Sequence, residues 1–207
     1  MGWKSKIRYF IDYYLKFVIL FLLLALFLGS FVKSIMFDRK DVVLSVMILS
    51  DPGEIDIDLL EEALGPVLGI VSEKQDISFS MLDARVPANE PVIWTRLRAR
   101  SVDVLITDEE AFDAYARQGV YRDLSGVLSS DDLQEWESRL LFQRIEETDD
   151  DGRVLAEGES LPYGVALGAN RKYRSAGGRL ENPVIGIVSN TEHAEEAQKA
   201  VEYFLSE

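Results

Sequence analysis

Three short polar clusters hold the residues best suited to bind something: Ser50-Asp51-Pro52, Asp83-Ala84-Arg85 and Thr107-Asp108-Glu109. Each follows an apolar run of strand length. In an open α/β sheet, ligands collect outside the carboxyl ends of the strands, so loops in this position are candidate binding loops. Ser50, Thr107 and Arg85 offer donors, and Asp51, Asp83 and Asp108 offer carboxylates. Backbone N–H groups at the start of helices after Asp51 and Asp108 could hold an anion or a polar solute. The plainer reading is that both aspartates cap helices and do nothing more.

Other residues that could do chemistry point nowhere specific. His193 is the single histidine and stands among acids, with no serine or cysteine motif around it. It reads as a surface residue, which leaves no histidine-based triad or histidine-rich metal site. Asp149-Asp150-Asp151-Gly152 could bind Ca²⁺ but lacks the spaced acids and final glutamate of an EF-hand loop, so a solvated hairpin tip is expected. No nucleophile-elbow, phosphate-loop or dinucleotide fingerprint occurs. The sequence therefore predicts a non-enzyme without metal or cofactor.

The charge pattern narrows the partners. The chain has 207 residues, no cysteine and a formal net charge of −14. The first forty residues are basic and the remainder is strongly acidic. An acidic domain repels phosphate backbones, which argues against nucleic acid. Without cysteine there is no disulfide, thiol nucleophile or thiolate-bound zinc. Arg171, Lys172, Arg174 and Arg179 around Gly177-Gly178 form the one basic cluster of the domain. This reads as a flexible loop, or as a contact for acidic polymer, lipid headgroups or a partner.

Residues 17–32 read FVILFLLLALFLGSFV, without a charge. Extended to Phe37, the stretch would rise about 31 Å as a helix, the thickness of a bilayer core. The expectation is a cytoplasmic or interfacial segment over 1–16, a transmembrane helix over 17–37 and an extracytoplasmic domain over 38–207. Positive charge before the apolar stretch orients such a single-pass protein with its N-terminus inside a bacterial cell. The bilayer would then be one partner.

These loops need a scaffold, and the pattern supplies one. Val42–Leu49, Asp76–Leu82 and Val102–Thr107 read as strands. Ile55–Leu68, Glu90–Arg100 and Glu109–Gln118 read as the helices between and after them, with Pro66 kinking or ending the first and Asp108 capping the third. Tyr121–Leu128 reads as an irregular link and Asp131–Leu141 as a helix capped by Ser130. Leu141–Glu147 and Val154–Glu159 read as a hairpin, Leu161–Gly168 and Val184–Ser189 as two further strands, and the chain from Thr191 as a final helix. Such alternation predicts an α/β domain with a mostly parallel sheet.

Three stretches resemble the extracellular solute-binding proteins of ABC transporters, which have a periplasmic-binding-like fold. The first is Val102–Phe112 followed by Gly119, Tyr121 and Asp123-Leu124-Ser125, similar to a strand, a helix and then "G-x-[FLY]-x-D-L". The second is Leu161–Ala166, like the strand returning through the hinge. The third is Pro183–Ser189 with His193–Leu205, like the closing strand and helix of a lobe. The resemblance implies a single lobe, since a full binding protein has two lobes and about twice this length. It also implies that Tyr163 joins the binding loops, and that a small solute and a transporter permease or other membrane protein are the partners. The alternative is an assembly subunit that keeps the fold without a ligand cleft.

Overall fold

The computed structural model describes residues 17–28, 41–72, 74–148 and 154–206. The chain divides into two compact units, Met1–Asp41 and Val42–Glu207.

In the first unit, α1 (17–28) is helical for twelve residues. At 1.5 Å per residue these twelve described residues span about 18 Å, less than the ≈ 30 Å of a bilayer core. Among the described residues no helix is long and apolar enough to cross a membrane. The expected transmembrane helix over 17–37 is corrected accordingly. The single-pass placement in a cell membrane, N-terminus inside and domain outside, rested on that helix and falls with it. Residues 1–16 and 29–37 of that expectation lie outside the described residues, as does the tip Asp149–Gly152.

The second unit is a three-layer α/β/α domain. Its elements are β1 (Asp41–Leu49), α2 (Ile57–Leu68), β2 (Gln75–Leu82), α3 (Glu90–Arg98), β3 (Val104–Asp108) and α4 (Glu109–Ala116). Then come α5 (Ser130–Glu135), β4 (Leu140–Thr148), β5 (Val154–Ala166), α6 (Arg171–Ser175), β6 (Pro183–Ile187) and α7 (Ala194–Leu205). One six-stranded sheet runs in the order β2-β1-β3-β6-β5-β4.

Alternation along the strands divides the core into two layers. Leu44, Val46 and Ile48 of β1 face one side, with Val104, Ile106, Ile185 and Ile187, and there they meet Leu60, Leu64 and Phe204 of α2 and α7. Met47, Leu49 and Leu105 face the other side and meet Ile93, Leu97 and Phe112 of α3 and α4. Both faces being covered explains why β1 and β3 read as continuous apolar runs. Each fully buried aliphatic side chain removes about 1.5–3 kcal/mol worth of surface from water. Gly186 keeps room for Tyr121, since a Cβ there would lie 2.6 Å from its ring.

The sheet is mixed, which corrects the mostly parallel expectation. β1 and β3 are parallel, with Val46 opposite Val104. The β3–β6, β6–β5 and β5–β4 pairs are all antiparallel. Between β5 and β6 stands only α6, about 7.5 Å long at helical rise, too short to carry the chain back along the sheet.

Several element boundaries differ from those the sequence predicts. Asp131–Leu141 is not one helix: Ser129 caps a six-residue helix, and Leu140 already belongs to β4. Leu161–Gly168 is not a separate strand but the second half of β5. Pro66 neither stops nor unwinds α2, which continues to Leu68 and ends at Gly69 in a left-handed conformation. The last helix starts at Ala194 rather than Thr191.

Candidate functional site

β1 ends at Leu49, and Ser50 then turns the chain with φ 58°, in the left-handed region that non-glycine residues rarely occupy. Three contacts hold it there while it is 6% exposed. Its N–H donates to Leu82 O at 2.8 Å, at the end of β2. Its Oγ accepts from the Ala84 N–H at 3.0 Å and donates to Asp83 Oδ1 at 3.2 Å. Backbone strain held by surrounding bonds is a frequent mark of functional sites.

Asp83 passes this order to Arg85. Its Oδ1 accepts from Arg85 N at 3.0 Å and from Nε at 2.8 Å, and its Oδ2 accepts from Nη2 at 3.2 Å. This fork-on-fork geometry fixes a guanidinium plane. The Arg85 bonds hold the Asp83 carboxyl below its usual range, and Asp83 in turn raises Arg85.

Asp51 has a different task from the one expected. It does not start α2: Asp56 is the cap there, accepting from Leu59 N at 3.1 Å. Instead Asp51 gathers a distant segment. Its carboxylate accepts from Gly53 N at 2.7 Å, from Arg179 N at 3.0 Å and from the hydroxyl of the buried Tyr173. Gly177 has φ 97°, and a Cβ on it would stand 2.1 Å from Glu54 O. A Cβ on Gly178 would meet the Tyr173 ring at 2.4 Å. The double glycine is thus a close-packed seam rather than the flexible loop its composition suggested. Of its basic neighbours, Lys172 Nζ is spent on Tyr203 O at 2.7 Å.

Asp108 caps α4 as expected, accepting from Ala111 N at 2.8 Å. Thr107 lies fully buried beneath, its hydroxyl donating to Asp108 O at 2.9 Å. The buried Tyr121 hydroxyl lies beside Thr107 yet makes no well-formed hydrogen bond, and burial pushes its pKa well up.

Ser50, Arg85 and Asp108 meet at one cleft of about 700 Å³, whose opposite wall is Arg179, Leu180, Glu181 and Asn182. A chamber of about 440 Å³ shares Ser50, Arg85, Asp108 and Glu110 with it and is backed by Trp94 and Tyr115. These two rings stand 5.5 Å apart at 56°. Burial, and then the charge of Glu90, raises the Tyr115 phenol.

Tyr163 is not brought to this cleft. It is the unpaired residue of a bulge, where Leu141 opposes Gly164 and Phe142 opposes Pro162, and it packs into the core with Phe112, Tyr121 and Val184. Thr107 and Asp51 support the walls from behind. The residues missed from sequence are Arg179, Glu181, Glu110, Asp113 and the Trp94–Tyr115 pair. The glycine pair flanked by arginine was the available signal for the far wall.

His193 is placed at the other end of the sheet. Its Nδ1 lies 3.2 Å from Asp103 Oδ2, a carboxylate that is 1% exposed and also accepts from Ser45 N at 2.8 Å and from the Thr191 hydroxyl. Asp103 precedes β3 while Asp108 ends it, so His193 has no part in the cleft. Among the described residues no group of three His, Cys, Asp or Glu could hold a metal ion.

Comparison with family models gives no match, and comparison with curated proteins gives none either. Among solved structures, a cysteine-to-serine mutant of Corynebacterium glutamicum OxyR with H2O2 bound is similar at 13% identity. The alignment covers 94% of this chain and 76% of that one, with a TM-score of 0.28. A likeness at that score carries no argument about this chain.

Proposed function

We propose that the α/β domain is a non-enzymatic binding or sensing module, akin to one lobe of an ABC-transporter solute-binding protein, that takes a small polar solute at the carboxyl ends of β1, β2 and β3. The cleft of about 700 Å³ supports this most directly, because it lies where the open α/β sheet places its ligands and falls in the size range of small-molecule sites. The strained Ser50 and the pre-set Arg85 add to it, since both hold polar groups in fixed positions before any ligand arrives. The chemistry suits binding better than turnover. The Ser50 hydroxyl has Asp83 as its acidic neighbour, and that carboxylate is already committed to Arg85.

The test is a thermal-unfolding screen of the full-length chain against sugars, amino acids, amines and organic acids. A ligand bound to the native state alone raises Tm. The expected result is a shift from one chemical class, changed in size by Arg85→Ala.

The alternative, an assembly subunit, is favoured by one observation. β4 forms an edge of the sheet, and its Phe142 is 50% exposed. Such an edge accepts a partner strand or apolar surface. Absence of any solute effect, together with crosslinks from Phe142 to one protein (a transporter permease among the candidates), would favour this reading.

A further inference from the structure

We infer that the aromatic-backed chamber beside the cleft takes an organic ammonium ion; this rests on the binding reading above. Three features converge on one cavity of about 440 Å³. Its rear wall is the tilted Trp94–Tyr115 pair, and such rings attract cations over their faces. Arg98 already lies 5.7 Å from the Trp94 centroid on the side of a neighbouring hollow, so this ring accepts positive charge within the fold itself. Three carboxylates, Glu90, Asp108 and Glu110, line the same chamber. Against them stands one guanidinium, Arg85, whose charge Asp83 pairs at 2.8 Å. Among the described residues no ion pair engages Glu90 or Glu110.

The charge left over in the chamber is therefore negative, and it borders apolar surface from Ala84, Ala111 and Ala114. A bare metal ion does not fit this pattern, because no three acids converge on one point. A cation with an apolar body does. Its charge is spread, it is weakly hydrated, and it gains from aromatic and carboxylate contact together.

The experiment titrates the full-length chain with choline and with its uncharged carbon isostere, dimethylbutanol. Binding is read by calorimetry and by Tm. Choline is expected to bind and raise Tm while the isostere does neither. Glu110→Gln and Asp108→Asn should each weaken choline about tenfold, the worth of one charge-assisted contact; Asn retains the capping oxygen at position 108. Glu195→Gln on α7 should leave binding unchanged, which separates the chamber from general attraction to an acidic protein. Equal binding of the isostere, or choline binding untouched by Glu110→Gln, overturns the ammonium assignment. If an anionic or neutral solute binds instead, that assignment falls and the cleft reading stands. If no solute of any class binds, both fall.

Discussion

The hydroxyl of Tyr173 donates to the carboxylate of Asp51, joining the end of β1 to a segment 122 residues later in the chain. Tyr173→Phe removes the donor and leaves Asp51 its two backbone partners. A loss of about 1–2 kcal/mol is expected in urea denaturation. Burial, then the bond to Asp51, raises the Tyr173 phenol above its ordinary 10.0. A raised pKa contributes stability that is whole below pH 10 and declines as pH climbs toward the folded value. Stability of the wild type should therefore fall in strong alkali, and the Phe variant should show a shallower decline.

Ser50 separates backbone strain from hydrogen bonding. Ser50→Ala keeps the left-handed φ of 58° without the Oγ contacts, whereas Ser50→Gly loses the same contacts but sheds the strain. The alanine variant should be the less stable by about 1–2 kcal/mol, the cost of a Cβ in that conformation. Denaturant midpoints of the pair measure it, and equal midpoints would show that Ser50 is relaxed.

The Asp83–Arg85 fork should respond to acid. The Asp83 carboxyl is held below 3.8, mainly by its hydrogen bonds from Arg85. A lowered carboxylate pKa contributes order that is present above 3.8 and disappears as pH falls through the folded value. Carbon NMR of the carboxyl should show that titration, and Arg85→Ala should return Asp83 toward its ordinary range. Both groups are exposed, so global stability should hardly move.

Asp103 is the converse case, a buried carboxylate whose loss is structural. Asp103→Ala strips the Ser45 amide and the Thr191 hydroxyl of their acceptor. Leaving a buried donor unmatched should cost about 3 kcal/mol in chemical denaturation. His193→Ala, at the exposed side of the same carboxylate, should cost under about 1 kcal/mol.

The central scaffold was readable because its signals are local. β1 and β3 are apolar runs, and Asp108 precedes a helix with an acidic first turn. Ser50, Arg85 and Asp108 follow from strand ends alone. What failed depended on distance or on competition. The hinge resemblance brings Tyr163 to the binding loops, yet a bulge turns it into the core. Trp136 and Leu140 fit one helical face, but the chain leaves the helix after six residues and Leu140 pairs with Val165 instead. The Arg179 wall depends on a glycine seam closed by a carboxylate 128 residues away, which no local period encodes. Composition and length alone make the apolar stretch read as a membrane span, whereas among the described residues no helix is long and apolar enough to cross a membrane.

At the cleft edge of the sheet, β1 and β3 deliver chain outward, but β6 begins there, since Pro183 pairs with Asp108 at the start of an opposed strand. The wall at residues 179–182 is thus laid down by polypeptide on its way in. Re-composing the exposed Glu181 and Asn182, beyond the seam that ties Gly177 and Arg179 to the loop after β1, would reshape the mouth of the site while the outbound loops kept their place, so part of its selectivity can be re-engineered apart from the scaffold.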